Sequence, residues 1–362
     1  MKFVHVADMH LDCAFNFLSN KLDLGDIRRL DQRNAFNKMI NYVKENDIKY
    51  LFISGDLYEQ KSIRESTIEY INNLFKQIPA TKIFVTPGNH DPMIKESFYK
   101  IYDWAENVKI FGSNVEKVEE DEFIIYGYGF DDYIMNNPKI DEIILDNTSK
   151  INILITHSSL DGNKEQNVYN PITTKELKQI GFDYVALGHI HKLNLESSDQ
   201  VIVYPGSMCS MGFDELEKHG MIVGEITKDA DGKVDRKLEF IPLDTKEFVR
   251  LDCSVDEMNT LEDLAQNINQ MDYDRNKYYE IILVGGRHFE INKYKLYKLI
   301  ENDSIVKIKD STKIGIDIEE LEKEMSLRGL FVKRIKKKME NGEIEEELFE
   351  KALEYGLDSL LS

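Results

Sequence analysis

Short apolar runs alternate with amphipathic stretches over the first two thirds of the chain. The spacing predicts a helix in which the recurring apolar residues are Ile27, Leu30, Phe36, Met39, Ile40 and Val43. The predicted strands are Lys2–Ala7, Tyr50–Ser54, Lys82–Thr86, Lys109–Phe111, Phe123–Tyr126, Asn152–Thr156 and Tyr184–Leu187. This alternation indicates an α/β fold in which helices cover a sheet. Further strands without long helices between them follow at Val201–Val203, Gly220–Ile226 and Lys237–Ile241, so a mixed sheet or a two-sheet sandwich flanked by helices fits.

The pattern of apolar and polar residues changes after Leu243. The pattern there predicts a βαβαβ unit with elements at Phe248–Cys253, Leu261–Ile268, Tyr278–Val284, Lys293–Glu301 and Ile305–Lys309. From about Ile318 the chain becomes helical and highly charged, with a basic cluster at Lys333–Lys338. We therefore predict a core domain over 1–243, a small α+β domain over 244–315 and C-terminal helices over 316–362. The basic cluster suits either a solvated helix face or a contact surface, and the helices suit either covering the fold or docking a partner.

Composition limits the classes of protein that remain. A chain of 362 residues without a long apolar run or a signal-peptide pattern predicts a protein outside the membrane. Its three cysteines, Cys13, Cys209 and Cys253, form no CxxC pair, which favours a reducing cytosolic compartment. The formal net charge of −20 opposes simple nucleic-acid binding, so any such activity must depend on local positive features, on metal ions or on a partner.

Metal-ligand side chains follow the ends of five predicted strands. The candidate ligands are Asp8, His10, Asp56, Asn89, His157, His189 and His191. Because active sites of open α/β sheets form where strands end, we expect these side chains to converge. They are too many for one tetrahedral zinc and suit two metal ions. Oxygen and imidazole ligands without thiolate favour Mn, Fe or Zn.

Local spacing supports the same centre. Asp8 and His10 are two residues apart, so in extended backbone they would face one side, and His189 and His191 repeat the arrangement. Asp56 could bridge both metals through its two oxygens. The neighbouring glycines permit sharp turns and close backbone approach; they are Gly55, Gly88 and Gly188.

Two metal ions about 4 Å apart form a clamp for phosphoryl displacement and lower the pKa of a bound water, which would be the nucleophile. His90, next to Asn89, is then placed to protonate the leaving oxygen as a general acid, and we expect Asp91 to orient His90. Asp12 is predicted to form a turn or helix cap rather than bind metal.

Three remaining histidines are predicted to be structural. His5 lies inside a strand, and His219 and His288 stand apart from the ligand motifs.

The blocks "DMH", "GDLYE", "GNHD", "THSS" and "GHIH", in this order, resemble the calcineurin-like metallophosphoesterases over about residues 1–225. That resemblance implies a double-layer sheet core with a dinuclear centre and His90 as the catalytic histidine. One metal would be held by Asp8, His10, Asp56 and His191. The other would be held by Asp56, Asn89, His157 and His189.

Within that family, "FVHVADMHLD" and "YPGSMCSMGFDELEKHGMIVGEI" are similar to segments of SbcD-type DNA repair exonucleases. The resemblance implies a capping domain after the core, helices that dock on an SMC-like coiled-coil ATPase, and a homodimer. Some of those nucleases carry a histidine or aspartate where this chain has Glu59. A glutamate is no cation near phosphate, so Glu59 is not expected to position DNA.

These observations predict a metal-dependent phosphodiesterase that hydrolyses DNA as an exonuclease or endonuclease in repair, with Mn²⁺ as the favoured metal. A phosphodiesterase or phosphatase for a small nucleotide-type substrate is the rival enzyme, and the acidic composition favours it. A mainly partner-binding subunit is the rival outside enzymology, which the C-terminal helices favour.

Overall fold

The chain divides into two units, Met1–Phe248 and Val249–Ser362. The structure is a computed structural model that describes residues 1–15, 24–162, 169–195, 200–244, 246–314 and 318–361. The predicted boundary between residues 315 and 316 lies outside the described residues. Asp244 and Phe248, predicted to open the second domain, contact Arg28 of the first unit instead.

Two β-sheets form the centre of the first unit. The strands are β1 (Lys2–Val6), β2 (Tyr50–Ser54), β3 (Lys82–Thr86), β4 (Val108–Ile110), β5 (Glu116–Glu119), β6 (Phe123–Gly127), β7 (Ile151–His157), β8 (Ser159–Leu160), β9 (Pro171–Ile172), β10 (Tyr184–Gly188), β11 (Ile202–Val203), β12 (Gly220–Lys228) and β13 (Val234–Pro242). The first sheet has the order β13-β12-β1-β2-β3-β4, the second has the order β11-β10-β7-β6-β5, and β8 pairs with β9 separately. β1 to β4 are parallel to one another, as are β6, β7, β10 and β11.

The two sheets pack face to face through an aromatic and aliphatic layer. Side chains alternate between the faces of a strand, so in β1 Phe3 faces the second sheet whereas Val4 faces the helices. The Phe3 ring lies 4.9 Å from Phe52 in its own sheet and 4.9 Å from Tyr184 in the other, measured between ring centroids. This layer fixes the distance between the sheets, and therefore the distance between their strand ends.

Helices cover the outer faces. They are α1 (Leu24–Glu45), α2 (Glu65–Phe75), α3 (Phe98–Ile101) and α4 (Thr174–Ile180), with a short 3₁₀ turn at Ile140–Glu142. The apolar stripe of α1, which includes Phe36 and Met39, packs on the first sheet, and Leu177 of α4 packs on the second. The first unit is thus a mixed α/β fold with a double-layer sheet core, which confirms the predicted fold class.

Two separate hydrophobic clusters occur among the described residues of the second unit. The chain enters this unit within strand β14 (Glu247–Ser254). The elements that follow are α5 (Leu261–Gln270), β15 (Lys277–Val284), β16 (Gly286–Arg287), α6 (Lys293–Leu299), β17 (Ile305–Asp310), β18 (Lys313–Ile314), α7 (Ile318–Lys323), α8 (Leu327–Glu340) and α9 (Glu346–Leu361). One cluster lies between the β14-β15-β17 sheet and helices α5 and α6. The other joins α8 and α9 through Val332, Phe349 and Leu353. Their separate roles as capping domain and docking helices stay predictions.

Candidate metal centre

The ends of β1 and β2 are joined by backbone hydrogen bonds. The Asp8 amide donates to the Gly55 carbonyl at 3.2 Å, and the His10 amide donates to the Asp56 carbonyl at 2.9 Å. From the other sheet, the His189 amide donates to both carboxylate oxygens of Asp8 at 3.1 Å. The strand ends of the two facing sheets therefore meet at one point.

Left-handed backbone turns the candidate ligands toward this point. The φ angle is +50° at Asp8, +46° at His10, +52° at Asp56 and +105° at His189. Such values are uncommon outside glycine and concentrate at functional sites. The prediction that extended backbone places Asp8 and His10 on one side is therefore wrong, although both side chains do reach the centre.

Two glycines allow the chain segments to approach this closely. A Cβ atom on Gly88 would lie 2.2 Å from Oδ1 of Asp56, and one on Gly188 would lie 1.9 Å from the Ser54 carbonyl oxygen. No side chain fits at either position without moving the neighbouring strand end. These are the close approaches that the sequence predicts.

Three groups of possible ligand atoms, each within 4.8 Å of one another, occur among the residues that the structure describes. The groups are Asp8, His10 and His191; Asp8, Asp56 and His157; and His10, Asp56 and His90. Asn89 adjoins them, because its Oδ1 lies 3.0 Å from Nε2 of His157. The His189 ring centroid lies 5.2 Å from that of His157. All predicted ligands are thus brought together, and their individual metal roles stay predictions.

The imidazole orientations fit bound cations. His10 and His191 direct Nδ1 outward to the carboxylates of Glu59 (2.8 Å) and Glu215 (2.5 Å), and their Nε2 atoms lie 3.1 Å apart. Each Nδ1–H donates to its carboxylate, so in the neutral rings two Nε2 lone pairs face each other. A positive charge between them removes that repulsion.

His157 shows the same pattern. Its Nδ1 donates to the Ser54 carbonyl oxygen at 2.9 Å, while Nε2 faces Oδ1 of Asn89 at 3.0 Å and Oδ2 of Asp56 at 3.3 Å. In the neutral ring, the Nε2 lone pair of His157 therefore faces two oxygen atoms that are also hydrogen-bond acceptors. A cation among these three atoms removes the repulsion. The donor set of nitrogen and oxygen atoms fits Mn, Fe or Zn.

The electrostatics of the centre favour positive charge. Burial lowers the pKa of His157, but the charge and contact of Asp56 outweigh it and raise that pKa to about 9. Burial likewise opposes charge on His191, yet the Glu215 hydrogen bond and the charge of Asp8 raise its pKa to about 9. The pKa of His189 falls to about 3 because of burial and the charge of His157. The carboxylates that favour a proton on His157 and His191 would equally favour a metal ion beside these rings, and binding of the metal would release the protons.

His90 lies at the mouth of the centre. Its side chain is 45% exposed, whereas His10 and Asp56 are buried. The His90 amide donates to Oδ1 of Asp56 at 2.8 Å, and its Nδ1 donates to Glu59 at 3.0 Å. Burial lowers the pKa of His90, but the Glu59 hydrogen bond and the charges of Asp56 and Glu59 raise it overall. The ring therefore presents Nε2 with Nδ1 already engaged.

The prediction that Asp91 orients His90 is wrong. The buried Asp91 carboxylate accepts hydrogen bonds from the amides of Gly88 (2.6 Å), Leu57 (2.7 Å) and Asp56 (3.1 Å), and from the Tyr99 hydroxyl (2.6 Å). Asp91 thus ties the loop after β3 to the loop after β2. Glu59 makes the contact with His90 that was expected of Asp91.

Asp12 and the two histidines described next lie outside the ligand groups. Asp12 accepts hydrogen bonds from the Thr67 hydroxyl (2.6 Å) and the Arg64 amide (3.3 Å), at the start of α2. His5 lies between the Ser54 and Tyr184 hydroxyls, and Nδ1 of His219 contacts Ser207.

Glu59, Glu215 and Gln32 contact the centre without having been predicted to do so. Gln32 donates to the carbonyls of Met9 and His10 at 3.1 and 3.2 Å. The chain contains 66 acidic residues, and nothing in the sequence pattern singles out Glu215. Glu59 had one signal, since it lies three residues after Asp56 within a ligand block.

A double-layer sheet core whose strand ends bring histidines and carboxylates together is the arrangement expected of a metal-dependent phosphoesterase. The profile of the family "Calcineurin-like phosphoesterase" matches residues 1–193, more than half of the chain. The chain belongs to this family.

Two curated relatives are similar to this chain. The uncharacterized metallophosphoesterase YhaO of Bacillus subtilis is 26% identical over 240 residues, which cover 63% of this chain and 58% of that protein. The SbcD subunit of the nuclease SbcCD from Staphylococcus epidermidis is 26% identical over 254 residues, which cover 60% of this chain and 64% of that protein. The match thus spans less than two thirds of each relative. A solved structure, TT1561 of Thermus thermophilus, aligns with 11% identity and a TM-score of 0.35, over 65% of this chain and 97% of its own.

Proposed function

We propose that the chain is a dinuclear-metal phosphodiesterase that hydrolyses DNA as the nuclease subunit of a repair complex, by exonuclease or endonuclease cleavage. The arrangement of Nε2 atoms and carboxylates around one point, in a calcineurin-like phosphoesterase, carries the proposal. The relative that is named as part of the nuclease SbcCD supports DNA as the substrate.

Two divalent ions, Mn²⁺ before Fe or Zn, are the proposed cofactors. Asp8, His10, Asp56 and His191 would hold one ion. Asp56, Asn89, His157 and His189 would hold the other. When bound, such a pair supplies Lewis acidity and an activated water for phosphoryl displacement.

His90 is the proposed general acid. Because its Nδ1 donates to Glu59, the ring can hold a proton on Nε2 at the open side of the centre. A proton given from Nε2 to the leaving oxygen would neutralise the developing alkoxide. Asp91 contributes by fixing the loops that carry Asp56 and His90, rather than by contacting the reacting atoms.

DNA cleavage with Mn²⁺ tests the proposal. We expect Asp56→Asn and His90→Ala to lose nearly all cleavage while keeping the fold. His90→Ala should retain bound metal, whereas Asp56→Asn should lose part of it. Asp103→Asn, an exposed carboxylate in the same unit, is the control and should cleave at the wild-type rate. Unchanged cleavage by both site variants would refute the proposal.

A small nucleotide-type phosphodiester is the second candidate substrate, favoured by the net charge of −20. That charge repels polyanions, so the isolated chain should bind DNA weakly and gain affinity through dimerisation or a partner. Rates on double-stranded DNA, single-stranded DNA and small phosphodiesters separate the two substrates. Preference for the small ester by the full complex would exclude DNA.

We further propose that the C-terminal helices dock on an SMC-like ATPase. Leu327, Leu330 and Leu348 expose 74%, 63% and 55% of their surface, although Val332 and Phe349 of the same helices are buried. If the chain is mainly a subunit that binds this ATPase, rather than an enzyme, the same exposed leucines would form the contact.

No helix in the described part of the chain is both long and apolar enough to cross a membrane.

Co-purification from the native cell, with mass-spectrometric identification, tests the partner. Deletion from Ile318 onward should remove the ATPase but retain metal in the first unit. Leu330→Glu should weaken the association, whereas Ile144→Glu, which is 81% exposed in the first unit, should not. Retained association after the deletion would count against the docking role.

A further inference from the structure

A carboxylate outside the predicted ligand set makes the closest contact to His191. Nδ1 of His191 donates to Oε1 of Glu215 at 2.5 Å. The other oxygen of Glu215 accepts hydrogen bonds from the Met211 amide at 2.8 Å and the Ser207 hydroxyl at 3.1 Å. Both oxygens are thus engaged, and the Glu215 side chain is only 17% exposed.

The segment that carries Glu215 is fastened to the fold by a buried cation. The Arg28 guanidinium donates to the Ser210 carbonyl at 2.8 Å and pairs with Asp244, whose carboxylate also accepts from the Ser210 amide at 3.0 Å. The Ser210 hydroxyl donates to the carbonyl of Glu215 at 2.7 Å. Glu215 therefore has a fixed position relative to α1, independent of His191.

His191 needs such a partner more than His157 does. Nδ1 of His157 is held by the Ser54 carbonyl, and that ring is fully buried. The His191 side chain is 28% exposed, and Glu215 is the hydrogen-bond acceptor that the structure gives its Nδ1. Without Glu215 the ring could exchange tautomers and rotate toward solvent.

We propose that Glu215 is the positioning residue of the half of the centre that contains His191. The Glu215 carboxylate keeps the proton of His191 on Nδ1 and directs the Nε2 lone pair toward Asp8 and His10. It thereby sets the affinity of that half for a divalent cation. This role rests on the proposed function of His191 as a metal ligand. Partners of this kind change metal affinity by about 10–100-fold when they are removed.

Two measurements on the full chain test this role. In the protein without added metal, at a pH high enough for the His191 ring to be neutral, long-range ¹H–¹⁵N NMR of the histidine rings should show the His191 proton on Nδ1 in the wild type and a tautomer mixture in Glu215→Ala. In Mn²⁺ titrations, Glu215→Ala should weaken one of two sites by about 10–100-fold and leave the other unchanged. Glu215→Gln should recover part of the affinity, because its amide oxygen can still accept from Nδ1. Glu217→Gln, at an exposed position, is the matched control and should match the wild type.

Ser207→Ala covers the case in which Glu215→Ala does not fold. It removes one donor to Glu215 and should weaken the same Mn²⁺ site by a smaller factor. The inference would be overturned if Glu215→Ala and Glu215→Gln both bound Mn²⁺ at the two sites with the same affinities as the wild type. It would also be overturned if the His191 tautomer did not change in Glu215→Ala. Neither measurement uses DNA, so a chain with these properties that cleaves no DNA would sustain the inference and refute only the nuclease proposal.

Discussion

Replacing Arg28 by methionine should destabilise the first unit far more than the same change at Arg29. Arg28 is wholly buried, and its guanidinium pairs with Asp244 and Asp31 and donates to the Ser210 carbonyl. Methionine fills much of the same volume but leaves two poorly exposed carboxylates without their cation. Removing one partner of a buried ion pair costs about 3–5 kcal/mol.

Arg29 provides a matched comparison on the same helix. It pairs with Asp26, whose side chain is 73% exposed, and such surface pairs contribute about 0–1 kcal/mol. The two substitutions remove the same groups one residue apart, so the difference isolates burial. In Arg28→Met together with Asp244→Leu, part of the lost stability should return, because apolar groups often replace a buried pair at little cost.

Urea unfolding followed by tryptophan fluorescence measures the effect. The chain's single tryptophan, Trp104, packs on Phe75 in the first unit, so the signal reports that unit. With a slope of about 3 kcal/mol per molar urea, Arg28→Met should move the midpoint down by about 1 M or more. Arg29→Met should move it by about 0.3 M or less. Equal midpoints for the two variants would refute the assignment of Arg28 as a buried anchor.

Three further predictions address the centre, the strand ends and the second unit. Glu59→Gln should lower DNA cleavage with Mn²⁺ by about 10-fold or more, because it weakens the contacts to His10 and His90; equal rates for Glu59→Gln and the exposed control Glu69→Gln would contradict this. Gly188→Ala should cost more than about 3 kcal/mol in thermal unfolding, since its Cβ meets backbone, whereas Gly232→Ala has open space and should cost about 1 kcal/mol; similar losses would refute the close approach. Burial raises the pKa of Glu280, but its hydrogen bonds to Lys307 and Arg250 outweigh burial and lower that pKa overall below the ordinary 4.5. The ionised Glu280 side chain therefore stabilises the folded unit above pH 4.5, and this contribution is lost as the pH falls through the pKa of the folded state. Hydrogen-exchange protection of β15, corrected for intrinsic rates, should therefore fall with acid in the wild type more than in Glu280→Gln; parallel curves would exclude this role.

Strand cores were predictable from sequence because their apolar runs stop where the ligand motifs begin. The bounds Tyr50–Ser54 and Lys82–Thr86 agree with the structure at both ends. The strand Glu116–Glu119 was missed, because its residues are half-buried or exposed at a sheet edge and show no apolar run. The helix Thr174–Ile180 was missed as well, since its seven residues offer one buried position, Leu177.

Convergence of the candidate ligands could be predicted, but the contacts among them could not. The strands β2 and β7 belong to two facing sheets and end at the same side of the fold, so His157 and Asp56 were expected to lie close together. The role of Asp91 depends instead on loop conformation, since its carboxylate turns back to the amide of Gly88 and across to that of Leu57. Asp91 was expected to bind the His90 ring because it follows His90 in sequence. The side chain that does contact the ring is Glu59, which is distant from His90 in sequence.

The contacts at Nδ1 imply that the two halves of the centre differ in how easily they can be altered. His157 is oriented by the carbonyl of Ser54, a backbone group that no substitution removes. His10 and His191 are oriented by the carboxylates of Glu59 and Glu215, which single substitutions do remove. Because an outward donor contact fixes both tautomer and ring orientation, the half with His10 and His191 should lose metal affinity first under mutation. The ligand residues alone do not reveal this difference, since it depends on Glu59 and Glu215, which are not in the ligand set.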